Sequence, residues 1–415
     1  MPAVKCPLCE STNNELLLDL GRQPPANALS STYESAVQAE RFDLSIMLCN
    51  NCLYVWLKES LPPQKLFKNN TYITGVSTTT RKDMERFAKS CILNCTLPAN
   101  SSVLDIGSND GTLLSYFKNQ GYSVVGVEPS EYASELAVQK GIPTIKNFFN
   151  EELSSKILRE YGKFDLITAT NVLTHVKDPS QFLESCKSIL KEGGSIVVEF
   201  YYFESIISNL AFDQIYHEHI SYFNMTTFVK LLDKVGLKSY HAETVASQGG
   251  SLRIFISFPG KHNADNSIVS LLSAEGSFSQ IMERYKKFAI SVKKRSREIL
   301  DVLESKHKEG KLVAGYGASA KATVITNYLG IDANIIKTIA DLSAIKQGKY
   351  LPGAAIPIIS PEDLIDLSPD VIIIFSWNIA EEIVHQLSKL IRKDFNIITL
   401  MPRIEEKMIS GGKVK

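Results

Sequence analysis

The spacing of apolar residues changes along this chain, and the changes divide it. From residue 1 to about 95 no period holds: paired cysteines, "QPPAN" and "LPP" interrupt short apolar runs, which predicts loops and short strands without a self-sufficient core. From about Ser101, runs rich in β-branched residues ("SVLDIG", "SVVGVEP", "FDLITATNVL", "SIVVEFYY") alternate with helical stretches. That alternation predicts a parallel sheet with crossover helices. After "GGSLRIFISF" a charge-laced amphipathic segment, about Ser267 to Lys311, predicts a helix joining two domains. "KLVAGYG", "IKTIADL" and "DVIIIFSW" then read as strands, with helix-forming stretches after the first and third, so a second α/β unit is expected from about residue 311. The fold class is α/β, with divisions expected at 1–75, 76–265, 266–310 and 311–415.

A chain of 415 residues exceeds one ordinary core, in keeping with several domains. Its 45 Lys and Arg balance 45 Asp and Glu with no long single-sign run, so neither nucleic acid nor a membrane surface is an expected partner. No stretch approaches the roughly 18 apolar residues of a membrane span, and "MPAVKCPLC" lacks a basic region followed by an apolar one. A cytoplasmic protein is expected, and with no heptads or symmetric patch, a monomer or weak oligomer.

Four of the seven cysteines form two CxxC pairs, Cys6/Cys9 and Cys49/Cys52. In a reducing compartment two such knuckles suit tetrahedral Zn²⁺ better than disulfides, although the span between them is long for a compact zinc ribbon. With all four ligands from protein the ion is expected to be structural, since a catalytic zinc keeps an open position. Cys91, Cys95 and Cys186 read as buried bystanders.

"SVLDIGSNDGTLL" puts Asp105 and then glycines at the end of a predicted strand, where backbone N–H groups can approach a ligand. It is neither GxGxxG nor a P-loop, and its glycine spacing is wrong for a dinucleotide pyrophosphate. The next strand ends at Glu128, placed to hydrogen-bond ribose hydroxyls. Asp105, Gly107, Gly111 and Glu128, followed by "FDLITATNVLTHV", resemble the class I S-adenosylmethionine-dependent methyltransferases. The resemblance implies a donor site at Asp105, Gly107, Ser108, Asn109, Asp110, Gly111, Glu128 and Asn171.

"DQIYHEHISYF" crowds His217, Glu218, His219, Tyr216 and Tyr222 into eleven positions. Histidines at i, i+2 fit no HExxH metal motif, and the density of titratable groups favours acid/base work. Methylation at carbon needs such a centre: a base to remove a proton alpha to a carbonyl, a donor to the oxyanion and an orienting carboxylate. The chain resembles, nearly end to end, the C-methyltransferases that act on nucleotide-linked 4-keto-deoxysugars. The resemblance is carried by the CxxC pairs with "LGRQPPANAL", the Asp105 motif, "EFYYFESIISNLAFDQIYHEHISYFN", "QGGSLRIF", "GYGASAKAT", "IADLSAIKQGKYLPG" and "FSWNIAEEI".

The resemblance implies His219 as base, Tyr216 binding or polarising the ketone and Glu218 orienting; His217 has no assigned purpose. The remaining histidines, His175 among them, are expected to be structural or exposed. "GYGASAK" would offer a helix N-terminus and Lys321 to a diphosphate, and Arg253 in "QGGSLR", beside Gly249 and Gly250, could meet a phosphate or carboxylate. Asn27, Tyr72, Glu199, Tyr201, Tyr222 and Lys346 complete the expected substrate contacts. The expected architecture is a small zinc-binding N-terminal domain, a Rossmann-like methyltransferase domain and a second Rossmann-like C-terminal domain. The expected reaction is C-methylation of a nucleotide-diphosphate-linked 4-keto-6-deoxyhexose, at C3 in preference to C5. The alternatives are O- or N-methylation of a nucleotide sugar, or sugar-nucleotide binding without catalysis.

Overall fold

The computed structural model describes residues 4–67, 72–390, 393–410 and 413–414. Three sheets organise them. β1 (Asn14–Gln23), β2 (Phe42–Cys49) and β3 (Val55–Leu57) are antiparallel neighbours in the first. β4 (Ser102–Ile106), β5 (Ser123–Val127), β6 (Thr144–Ile145), β7 (Phe164–Thr170) and β8 (Leu190–Tyr201) pair in parallel in the second. The chain then returns to the first sheet for β9 (Ser221–Tyr222), which pairs with β3. β10 (Lys238–Val245) and β11 (Ser251–Ser257) close the second sheet antiparallel, in the order β10-β11-β8-β7-β4-β5-β6.

The third sheet has parallel β12 (Val313–Tyr316), β13 (Ile339–Ala340), β14 (Ile358–Ile359), β15 (Val371–Ile374) and β16 (Phe395–Thr399). Antiparallel β17 (Glu405–Ser410) and β18 (Lys413–Val414) extend it, in the order β14-β13-β12-β15-β16-β17-β18. Its central strands are buried throughout, "VIII" of β15 among them, because helices cover both faces of a parallel sheet. Each doubly wound sheet reverses its strand order once, between β4 and β7 and between β12 and β15, and such switch points leave a crevice at the strands' C-terminal ends.

Two expectations about elements change. Residues 1 to 95 are not irregular throughout: Ser77 caps a 17-residue helix, Thr78–Asn94, which buries Met84, Phe87, Ala88 and Cys91 against the second sheet. The stretch expected to be one joining helix is two, Ser267–Glu275 and Phe278–Lys308. Gly276, at φ 82°, ends the first in a conformation that favours glycine, and a Ser277/Gln280 capping box starts the second. The long helix also packs. Tyr285, Phe288, Val292, Ile299 and Leu303 enter an apolar cluster that includes Leu18 and Ile46 of the first sheet, Phe203 and Phe212 after the second, and Val313 and Ile373 of the third. Among the described residues no helix is long and apolar enough to cross a membrane.

Candidate active site

A cavity of about 970 Å³ opens where the three parts meet. Both switch points drain into it, through Gly107 and Asn171 from the second sheet and Gly317 and Ser376 from the third. Between them its wall carries His175, Tyr201, Tyr216, Glu218 and Lys321.

At the second sheet, Asn109 and Glu128 are tied together, the Asn109 N–H donating to Glu128 Oε2 at 2.9 Å and the Ser130 N–H to Oε1 at 2.8 Å. Burial raises the Glu128 carboxyl, partly offset by those two amides. Asn171 stands at φ 55° with a buried Oδ1 that has no partner. The segment Tyr72–Ser77 crosses this end of the cavity. Thr74 N–H donates to Asn109 Oδ1 at 2.9 Å, Asn109 Nδ2 to the Tyr72 carbonyl at 3.0 Å and Gly75 N–H to Asp110 Oδ2 at 3.2 Å.

At the other end of the second sheet's crevice lies the acid/base cluster. His219 is 1% exposed, and its Nδ1–H donates to the Gln214 carbonyl at 2.6 Å, so the lone pair of the neutral ring is on Nε2, which has no partner. Its ring lies 3.8 Å from Tyr216, 4.6 Å from Tyr201 and 5.1 Å from His175, centroid to centroid. His175 fixes its tautomer in the same way, donating Nδ1–H to the Glu218 carbonyl at 2.5 Å. Burial lowers both imidazoles, His175 to about 4 and His219 well below its ordinary value, with the neighbouring His175 adding to the effect on His219. Burial raises the Tyr201 and Tyr216 phenols, which keeps both hydroxyls protonated as donors. Glu218 Oε1 accepts from Asn27 Nδ2 at 2.8 Å, while its buried Oε2 has no partner.

Cys6, Cys9, Cys49 and Cys52 converge, with all four sulfurs within 4.8 Å of one another, Cys6 to Cys52 at 3.6 Å and Cys9 to Cys49 at 3.5 Å. Zn–S bonds of about 2.3 Å in a tetrahedron separate sulfurs by roughly 3.8 Å, so the donor set fits zinc.

Family comparisons match three consecutive segments: "Putative zinc binding domain" over residues 6–67, "Methyltransferase domain" over 80–242 and "C-methyltransferase C-terminal domain" over 246–402. C-methyltransferase NovU of Streptomyces niveus is 28% identical over 412 residues, covering 99% of this chain and 98% of that protein. The three matched segments and this end-to-end relative show an S-adenosylmethionine-dependent C-methyltransferase. A ubiquinone biosynthesis O-methyltransferase of Bradyrhizobium sp. (strain ORS 278) is 35% identical over 133 residues, 31% of this chain and 50% of that one. Among solved structures, magnesium protoporphyrin IX methyltransferase from Synechocystis PCC 6803 aligns with 43% of this chain and 79% of its own, at 15% identity and a TM-score of 0.33.

In this C-methyltransferase the four sulfurs form a structural zinc site, and the crevice beside β4 and β7 fits S-adenosylmethionine: the Glu128 carboxylate is of the kind that accepts from ribose hydroxyls, and the Asn171 Oδ1 in the cavity wall has no partner of its own. Of the donor-site residues expected from sequence, Gly107, Asn109, Glu128 and Asn171 line the cavity. Asp105, Ser108, Asp110 and Gly111 do not; they hold the loop from behind. Asp105 accepts from Thr168 Oγ1 at 2.7 Å, Ser108 packs on Gly126, Asp110 pairs with Lys140 at 2.6 Å, and Gly111 is wedged against Ala137 and Ile142.

Of the expected catalytic and substrate residues, Tyr216, Glu218, Asn27, Tyr72, Tyr201, Lys321 and Lys346 line the cavity, and His219 stands one ring behind its wall. The others lie elsewhere. Arg253 and Glu199 satisfy each other at 2.7 Å, with Glu243 as a second partner at 2.9 Å. The close approach that Gly249 and Gly250 permit is to Trp377 and Ser205, and Tyr222 packs on Phe203 in the core. His217 lies edge-on to Phe42 at 6.1 Å, turned away from the cluster. Sequence reading missed His175, Asp213 and Glu382. His175 follows the C-terminal end of β7, where doubly wound sheets place ligand-facing residues, and that position was its signal.

Proposed function

We propose that this enzyme C-methylates a nucleotide-diphosphate-linked 4-keto-6-deoxyhexose at a carbon alpha to the ketone, C3 in preference to C5, through an enolate. The observation that carries the reading is that one cavity joins the donor crevice, the His175/His219 pair and the switch point of the third sheet. A small acceptor would need only the first two. The third supports a diphosphate: the helix Ala320–Leu329 begins there, and its N-cap Ser319 has a buried Oγ with no partner.

Gly107, Asn109, Glu128 and Asn171 would hold S-adenosylmethionine, which supplies an electrophilic methyl group. The imidazole pair takes the alpha proton; the C–H electron pair becomes the enolate double bond and the carbonyl π pair moves to oxygen. Tyr201 and Tyr216 stay protonated and donate toward that oxygen. Asn27 orients Glu218 from the N-terminal part.

His219→Asn tests the reading on a panel of nucleotide-linked keto sugars. Both methyl transfer and solvent deuterium exchange at the alpha carbon are expected to fall about 100-fold or more. Undiminished rates of both would remove His219 from the mechanism, and an O–CH₃ or N–CH₃ signal in the product's NMR spectrum would overturn the enolate.

A further inference from the structure

Lys321 is a buried charged group in the cavity wall to which the proposed enolisation assigns no role. It lies in the first turn of the helix Ala320–Leu329 and is 9% exposed. Among the described residues no carboxylate or carbonyl stands within hydrogen-bond or ion-pair distance of its Nζ. An ammonium is rarely buried without a direct partner; here the charge of Asp213, beyond bonding distance, offsets part of the desolvation, and the site has room for a further negative group at hydrogen-bond distance.

Its surroundings identify that group. The same helix packs on the turn Phe212–Gln214, Tyr328 meeting Phe212 at 5.6 Å between ring centroids. Thr323 Oγ1 donates to the Ala26 carbonyl at 2.9 Å, next to the Asn27 that holds Glu218. The turn carries Gln214, whose carbonyl fixes His219, and Asp213, whose Oδ2 accepts from Trp377 Nε1 at 2.8 Å while Oδ1 has no partner. Burial raises the Asp213 carboxyl to about 6, and the Lys321 charge is the main influence pulling it back. The same charge opposes protonation of His219, after burial and His175. The ammonium therefore belongs to the acid/base end of the cavity.

We propose that Lys321 is a catalytic residue whose ammonium faces the C4 keto oxygen of the sugar and holds the negative charge that collects there as the alpha proton leaves. This rests on the keto-sugar reading. The C–H bond breaks toward an imidazole nitrogen, its electron pair forms the C=C bond, and the displaced π pair stays on oxygen opposite Lys321. The ammonium keeps its proton as a hydrogen-bond donor, with Asp213 as the standing counter-charge. The diphosphate is left to Ser319 and the helix N-terminus.

The test compares Lys321→Met and Lys321→Arg with wild type on a thymidine-diphosphate-linked 4-keto-6-deoxyglucose probe and its uridine, guanosine and cytidine counterparts. Deuterium exchange at the alpha carbon is followed with S-adenosylhomocysteine bound, and inhibition by the corresponding free nucleoside diphosphate is measured alongside. Calorimetric binding of S-adenosylhomocysteine checks the fold. For Lys321→Met, kcat and exchange are expected to fall about 100-fold or more, with KM and the nucleotide inhibition constant within about 3-fold of wild type and partial rescue by Lys321→Arg. A Lys321→Met enzyme that exchanges normally at saturation but whose KM and inhibition constant rise about 10-fold would put Lys321 on the diphosphate and overturn the proposal. Absence of exchange by wild type on every probe overturns the keto-sugar reading and this proposal with it.

Discussion

At the scale of single residues, the two imidazoles of the cluster make a pH prediction. Each gives its Nδ1–H to a carbonyl, which leaves Nε2 as the basic nitrogen, and burial lowers both, His175 to about 4. The acid limb of kcat/KM is therefore expected well below pH 6.5, and a limb at or above that value would show that neither imidazole is the base. Stability follows the same shift. An unfolded histidine protonates near pH 6.5 and the folded His175 only near 4, so between these values the unfolded chain binds more protons. The His175 contribution is complete above pH 6.5 and is lost as pH falls toward 4. Asp213 and Asp105 act in the opposite sense: burial raises them to about 6 and about 7, so their contribution is greatest at low pH and is lost as pH rises through those values. Urea midpoints of His175→Gln, measured from pH 6.5 down to 4, should fall less steeply than those of wild type. Arg253 gives a second prediction. Its guanidinium neutralises buried Glu199 and partly buried Glu243 and lies 4.6 Å over the Phe87 ring, so Arg253→Met strands the Glu199 carboxylate. The expected loss is about 3–5 kcal/mol in denaturant unfolding, with the substrate KM of the remaining folded enzyme unchanged; a large KM change in a stable variant would restore Arg253 to the substrate site.

At the scale of elements, one antiparallel strand pair joins the zinc site to the acid/base stretch. Cys49 ends β2 and Cys52 precedes β3, β3 pairs with β9 through Val55 to Tyr222 and Trp56 to Ser221, and the Leu57 N–H donates to the Ile220 carbonyl at 2.8 Å, one residue from His219. Lys230 and Lys234, from the helix Met225–Val235, hold the knuckles through the carbonyls of Cys52 and Leu8. Chelating the zinc should thus abolish methyl transfer slowly, in step with faster hydrogen exchange at the Leu57 amide. Fast loss that zinc restores at once, without a change in exchange, would mean a catalytic ion. This coupling was not legible in the sequence, because β9 is two residues long and exists only by pairing with a strand some 165 positions earlier. The helix Thr78–Asn94 was legible in principle: Met84, Phe87, Ala88 and Cys91 keep helical spacing, but a polar first turn and an irregular segment before it hid the onset. The parallel strands were the easiest to read, since burial on both faces leaves short apolar runs, unbroken and β-branched in β15.

At the scale of the whole molecule, motifs far apart in the chain meet because two doubly wound sheets face their switch points into one cavity. Sequence showed the motifs but not which side chains turn inward. Gly107 and Glu128 reach the cavity while Asp105 and Asp110, from the same motif, support the loop, and Arg253 finds the chain's own carboxylates where a ligand's phosphate or carboxylate was expected. Glu382 was invisible because its role depends on two parts meeting. From the third part of the chain it accepts Ser77 Oγ–H at 2.9 Å and the N–H groups of Thr78 and Thr79 at 3.1 and 2.9 Å, capping the helix that follows the Tyr72–Ser77 strap. Burial would raise its carboxyl, but the bonds from Thr79, Ser77 and Thr78 outweigh that and hold it below the usual range, so the cap stays ionised at neutral pH. The strap in turn is bonded to Asn109 and Asp110 of the donor loop, so Glu382, itself in the cavity wall, positions the donor crevice from the third part of the chain. Glu382→Ala leaves four donors, those three and the Gln386 side-chain amide, without this acceptor in a solvent-accessible place, a cost of about 1–2 kcal/mol. If that cost falls on the closed strap, the KM for S-adenosylmethionine rises about 10-fold while kcat at saturation changes little. Glu382→Gln, which retains an acceptor oxygen, should recover part of the affinity. A rise confined to the KM of the sugar nucleotide would instead make Glu382 a contact of the acceptor, and the strap a feature of the fold alone.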